Sequence, residues 1–178
     1  MMAEIKSTLD LVMERTRHLT MTAAEKEALA REEHLHKVPG YVQRFLDETL
    51  TVPALLAEIE SLPDAWRQEV LGEVARRLID ALDFGQRGAR CLQALEGLSR
   101  TTSRPWLERC RAIRERFRAV RSEVTEGEAR RLEEELEARG IGGSAVLVRG
   151  EKSPRWRALE QDFERELAEL RSQWRTAW

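Results

Sequence analysis

The stretch Gly140-Ile141-Gly142-Gly143-Ser144-Ala145-Val146-Leu147-Val148 places a glycine cluster beside a β-branched run. Glycines at this density cradle phosphates when they follow a strand, open a helix and end on a Lys with a Ser or Thr. Here the residues before Gly140 read Glu-Glu-Glu-Leu-Glu-Ala-Arg, a helix former, so the order is helix, glycines, extended run. The spacing therefore predicts Gly140 as the left-handed residue that closes a helix, Gly142 and Gly143 as a turn, and residues 144–148 as a short extended segment. A solitary strand leaves backbone groups unpaired, which makes Ser144, Val146 and Val148 candidate contacts. Their partner would be another extended piece of the chain, a second copy, or a strand of another protein. Arg149 and Lys152, near the start of the next helix, mark a place where an anion could sit.

The three histidines raise the question of a metal. Glu33-His34-Leu35-His36 contains one Glu-x-x-His, the spacing used by di-iron bundles, but such a site needs a second copy, which is absent from the sequence. His34 and His36 project from opposite sides of a helix, and His18 is distant in sequence. No metal and no cofactor is expected. Gly-x-Ser-x-Gly is absent, and Cys91 and Cys110 have no base beside them and no metal-ligand spacing, so both read as reduced core residues. The expected protein is not an enzyme.

The strongest charge pattern lies further on. Between residues 100 and 121 eight arginines stand against Glu108 and Glu115, and from 122 to 137 seven glutamates stand against Arg130 and Arg131. Arg111, Arg114, Arg118 and Arg121 fall on the helix face away from the apolar positions, where they would grip phosphate or dock an acidic protein. The alternative is that these arginines pair with the acidic block or with other carboxylates of the same chain. Basic residues are overwhelmingly Arg, with Lys only at 6, 26, 37 and 152, a skew as compatible with GC-rich coding as with chemistry. Of the five tryptophans, Trp66, Trp106, Trp156 and Trp174 sit at helical core spacing. Trp178 packs only if the tail docks, and otherwise serves as an anchor for a partner.

Helices must position all of these groups. Ile5, Leu9, Val12 and Leu19 recur at helical spacing and predict an amphipathic helix over residues 3–18. Thr22 and Glu25 form a capping box opening a largely polar helix, which Val38-Pro39-Gly40 is expected to stop. Apolar stripes follow at Tyr41–Leu50 and, after Pro53, at Leu55–Leu62. Ser61-Leu62-Pro63-Asp64 repeats the start signal for a central helix with Trp66, Val70, Val74, Leu78 and Leu82. Asp83-Phe84-Gly85-Gln86-Arg87-Gly88 leaves open whether residues 64–98 are one helix or two. Trp106, Cys110, Ile113, Phe117, Val120 and Val124 make a heptad seam, with Gly127 on its next position and Thr125 with Glu128 as a possible restart. Ser153 and Pro154 open the last helix, with Trp156, Leu159, Phe163, Leu167, Leu170 and Trp174 on one side.

Composition fits this reading. The 178 residues are 42% hydrophobic and 35% charged with a net charge of −2, too apolar for disorder and too balanced for wholesale binding to nucleic acid or membrane. No targeting segment or apolar run of membrane length is evident, so a soluble, cytoplasmic protein is expected. The segments AEIKSTLDLVMERT and GIGGSAVLV before a Trp-bearing final helix resemble a family of small bacterial helical proteins, a resemblance that brings no activity and no site residues.

The expectation is an all-α bundle of about six or seven helices with one extended segment near 144–148. A helical region spans 1–98, a linker 99–105, and a hairpin-like region 106–178, together one composite domain. The expected core comprises Ile5, Leu9, Val12, Phe45, Leu46, Leu56, Ile59, Val70, Val74, Leu78, Leu95, Ile113, Phe117, Leu159, Phe163 and Leu170. The leading function is a self-associating or protein-binding interaction protein. A nucleic-acid-associated protein using residues 100–121 is the alternative, and a metal-dependent bundle enzyme the third.

Overall fold

The computed structural model describes residues 21–98, 103–143, 148 and 153–178. Among them the chain forms six helices and no strand: α1 Ala23–Leu46, α2 Val52–Glu60, α3 Asp64–Asp80, α4 Gln86–Leu98, α5 Arg104–Ala138 and α6 Pro154–Ala177. The all-α expectation holds. The helix expected over 3–18, with Ile5, Leu9 and Val12, lies outside the described residues, as do His18, residues 99–102 of the linker, and Arg149 and Lys152. Among the described residues no helix is long and apolar enough to cross a membrane.

Several helix starts follow the local chemistry. Thr22 Oγ1 accepts the Glu25 amide at 3.2 Å while the Thr22 amide donates to the Glu25 carboxylate at 2.7 Å, the complete capping box. These bonds to Thr22 hold the Glu25 carboxyl below its usual range. Ser153 Oγ accepts the Trp156 amide at 3.1 Å ahead of α6. At the end of α5, Gly140 takes φ 69°, with Ile141 N–H donating to the Leu136 carbonyl and Gly140 N–H to the Glu137 carbonyl, both at 2.9 Å. That is a Schellman closure, and it needs the left-handed residue. The turn after α1 has the same pattern, with Glu48 at φ 63° where glycine would be unstrained.

Three expected breaks moved. Pro39 does not stop a helix: α1 runs through it, because Val38, Val42 and Phe45 lie on one face and are buried. Burying three such side chains is worth about 1.5–3 kcal/mol each, which outweighs the roughly 3 kcal/mol of an interior proline. Ser61 does not start α3. It closes α2, its hydroxyl donating to the Glu58 carbonyl at 2.7 Å, and Pro63 holds the N-cap position of α3. Thr125 and Glu128 do not restart a helix either. α5 continues for 35 residues, roughly 50 Å, since a single Gly127 costs only about 1 kcal/mol against the length of the α5–α6 contact. Past Val124 the buried position falls on Glu128, whose carboxylate meets Arg131 at 3.4 Å and Arg155 of α6 at 4.0 Å.

Residues 64–98 are two helices, and the reason is Asp83. Its Oδ1 accepts the amides of Gly85 and Gly88, each at 2.8 Å, and its Oδ2 accepts Arg87 Nε at 2.9 Å, so the side chain replaces the carbonyls a continuing helix would offer. Phe84 then stacks on Phe117 of α5 with centroids 4.1 Å apart and meets Phe163 of α6 edge-on at 6.2 Å. The helices pack α1 on α3, α2 on α4, α3 on α4 and α6, and α4 on α5. α5 and α6 run antiparallel, with Arg109 meeting Gln173 and Arg116 meeting Glu166. One hydrophobic cluster runs through all six helices. Of the expected core residues described, Leu46, Leu56 and Leu159 are half-buried and packed against that cluster, and the others are buried.

Cys91 and Cys110 are buried and unpaired by disulfide. Burial pushes the thiols up from an ordinary value near 9.0, to about 12 for Cys91 and about 11 for Cys110. The native state therefore keeps protons that the unfolded chain releases, and stability falls as pH rises from about 9 through those values. At pH 8 a thiol-specific chromogenic reagent should find neither cysteine until denaturant is added; prompt reaction of the native protein contradicts this. Glu48→Gly should raise stability by about 0.5–1 kcal/mol, because relief of the left-handed strain exceeds the loss of the pair that the exposed Glu48 makes with half-buried Arg90. Chemical denaturation measures it.

Candidate functional site

The groove between α4 and α5 collects three of the four predicted arginines. Arg111, Arg114 and Arg118 line it with Glu115 over a floor of Ala89, Leu92 and Ala112, enclosing about 530 Å³. Spacings of three, four and seven put all three on one face of α5. Arg111 reaches Glu96 of α4 at 2.6 Å and Arg118 reaches Glu115 at 3.5 Å, both pairs well exposed. Arg121 stands apart, its guanidinium 5.4 Å from the centroid of the Trp156 ring on α6. The basic block thus finds carboxylates on α4, on α6 through Arg116–Glu166, and within α5. In the acidic block, Arg130 and Arg131 pair with Glu126, Glu128 and Glu135 of the same helix.

Arg114 corrects the expectation of an outward-facing stripe. Only 4% of it is exposed, and its guanidinium donates to the carbonyls of Asp83 and Gly85, the second at 3.0 Å. The Asp83 carbonyl lies in the turn after α3 and the Gly85 carbonyl also accepts the Ala89 amide at 3.3 Å, and a planar fork with five N–H groups suits both at once. Burial lowers the Arg114 pKa, which leaves a guanidinium charged at neutral pH. Gly88 makes the approach possible: a Cβ there would overlap the Asp83 carbonyl oxygen and come within 2.7 Å of the Asp83 nitrogen.

A second concavity, of about 280 Å³, was not foreseen. It lies between α3, the start of α5 and the end of α6, and Trp106, Trp174 and Trp178 contribute to its wall. Trp178 docks there, half-buried, with its amide donating to the Trp174 carbonyl at 3.0 Å and its Cδ1 facing Gly72. Trp106 and Trp174 read as core by their spacing, which shows a face of one helix and not a wall assembled from two, and Trp178 stands apart in sequence as a docked tail or a partner anchor. Ser144 and Val146 lie outside the described residues. Val148 is half-buried beside Leu136, Ile141 and Gly143 at the end of α5. His34 rests against Trp66 with ring centroids 5.4 Å apart, and His36 points outward 3.8 Å from Glu32. Among the described residues no three metal-ligating side chains gather.

No family model, curated protein or solved structure matches the chain.

Replacing Arg114 by Met removes two charge-assisted bonds to the part-buried turn at Asp83 and Gly85 and should cost about 1.5–3 kcal/mol, as should Gly88→Ala, which forces the same contact apart. Arg111→Ala and Arg118→Ala should each cost no more than about 1 kcal/mol, since their pairs are exposed. Urea unfolding of the four variants checks the ordering. Equal losses at 111, 114 and 118 contradict it.

Proposed function

We propose that the protein is a non-catalytic interaction protein that docks an acidic amphipathic helix of a partner protein in the groove between α4 and α5. The observation that carries this reading is the pair Arg111 and Arg118, two helical turns apart beside the apolar strip of Ala89, Leu92 and Ala112. A partner helix with small apolar residues on one face and carboxylates seven residues apart matches both features. Its carboxylates would exchange with Glu96 and Glu115 at little loss, because exposed ion pairs contribute only about 0–1 kcal/mol. Nucleic acid suits the groove less well, since Arg114 is buried and bonded to backbone, which interrupts a line of phosphate contacts. Self-pairing through 144–148 rests on a segment of which only Val148 is described, and it adds nothing to this reading.

The test is fluorescence anisotropy with a labelled helical peptide bearing Leu and Ala on one face and Glu at positions seven apart. Saturable binding is expected, with at least roughly tenfold weakening when the peptide Glu become Gln or when the protein carries Arg111→Glu and Arg118→Glu. The variant should keep its melting temperature. A duplex oligonucleotide bound with steep salt dependence, while the peptide is ignored, would overturn the reading in favour of nucleic acid. A wild-type dimer that the double variant dissociates would put a second copy in the groove instead.

A further inference from the structure

We propose that the tryptophan-walled cavity is a binding site for a small planar aromatic carboxylate, independent of the arginine groove. Trp174 is 1% exposed, and its indole Nε1 is buried with no acceptor. An indole N–H can only donate, and a buried donor left alone costs about 1–3 kcal/mol. An oxygen acceptor arriving in the cavity that Trp174 lines, met by a small shift of the indole, relieves that loss.

The remaining lining favours an anion. The carboxylate of Glu69 is already held by Arg31 of α1 through two bonds, 2.6 and 2.5 Å, and those bonds keep its carboxyl below the usual range. The Arg76 guanidinium, 38% exposed, makes two 3.4 Å contacts to Glu73, long for a charge-assisted bond, and feels the charge of Glu69. A ligand carboxylate within reach of Arg76 and Trp174 Nε1 would engage both donors, while the rings of Trp106 and Trp178 supply apolar faces for a planar body. Ser103, buried, closes part of the wall.

Gly72 is an independent sign that the space is kept open. It lies in the interior of α3, where glycine costs about 1 kcal/mol against alanine, and it is buried. Gly88 and Gly97 have neighbours that a Cβ would strike. At Gly72 a Cβ would meet nothing nearer than 3.7 Å, where Arg76 Nη1 stands, with Trp178 Cδ1 at 3.9 Å. Helix packing therefore does not demand glycine there, and a longer side chain would grow into the cavity between Arg76 and Trp178.

The experiment is isothermal titration of the full chain with indole-3-carboxylate, with its neutral analogue indole-3-carboxamide, and with the cation tryptamine. Saturable binding of the carboxylate is expected. Arg76→Gln, on the surface, and Trp174→Phe, which keeps a ring but removes the N–H, should each weaken it at least roughly tenfold. Gly72→Leu should abolish it while helicity and melting temperature hold or rise. No heat from the carboxylate with the wild-type protein overturns the site, as does a titration that Gly72→Leu leaves unchanged. Equal affinity for the carboxamide or tryptamine overturns the assignment to an anion.

Discussion

Every helix ends with carbonyls that have no intrahelical donor, and in this bundle several of those ends are part-buried. Arginine resolves the conflict repeatedly. Arg67 donates to the Leu62 carbonyl in the turn after α2, and Arg90 to the carbonyls of Phe45 and Leu50 around the turn after α1. Arg171 serves Leu82 and Asp80 at the end of α3, and Arg114 serves Asp83 and Gly85 in the turn that follows. In each of the last three cases the guanidinium comes from a different helix, so satisfying a helix end also fixes where another helix lies. Lysine, a point charge on a flexible stem, offers no planar fork for two carbonyls.

The turn at Asp83–Gly88 concentrates this logic. Asp83 draws two amides and an arginine onto itself, which ends α3 and starts α4. Arg114 holds the carbonyls of Asp83 and Gly85, Gly88 lets it approach, and Phe84 sets its ring against both α5 and α6. A turn of six residues thereby joins the N-terminal helices to the C-terminal hairpin. α6 also lies directly on α3, with Leu167, Leu170 and Trp174 buried in the shared core. The buried cluster is shared between the N-terminal helices and the C-terminal pair.

Much of this was legible in sequence. Thr22 and Glu25, Ser153 with Pro154, and Gly140 act within four residues of themselves, and such local chemistry reads directly. The apolar stripes of α3, α5 and α6 identified the core because burial follows helical periodicity. What was not legible depends on partners distant in the chain. Pro39 stays inside α1 because α3 receives its buried face. Glu128, and not Gly127 of the expected seam, is buried after Val124, with Arg131 and Arg155 of α6 at its carboxylate. Arg114 looks like its neighbours Arg111 and Arg118 in sequence, and only the carbonyls of residues 83 and 85 distinguish it. The skew toward arginine, which coding bias would equally produce, has a structural use in four side chains at three helix ends. The tryptophan cavity combines residues 72, 76, 106, 174 and 178, and no local pattern announces a wall built that way.

Both proposed sites lie on this frame, the groove between α4 and α5 and the cavity between α3, α5 and α6, so their shapes depend on the helices being held as one unit. Native-state hydrogen exchange under increasing denaturant tests that most directly. The account predicts that the slowest amides of α3, at Leu78 and Ile79, and of α6, at Leu167 and Leu170, open with one shared free energy and one denaturant dependence. The Gly88 amide, donated to Asp83, should join them. Two separate levels, with α5 and α6 opening while α1 to α4 stay closed, would contradict it.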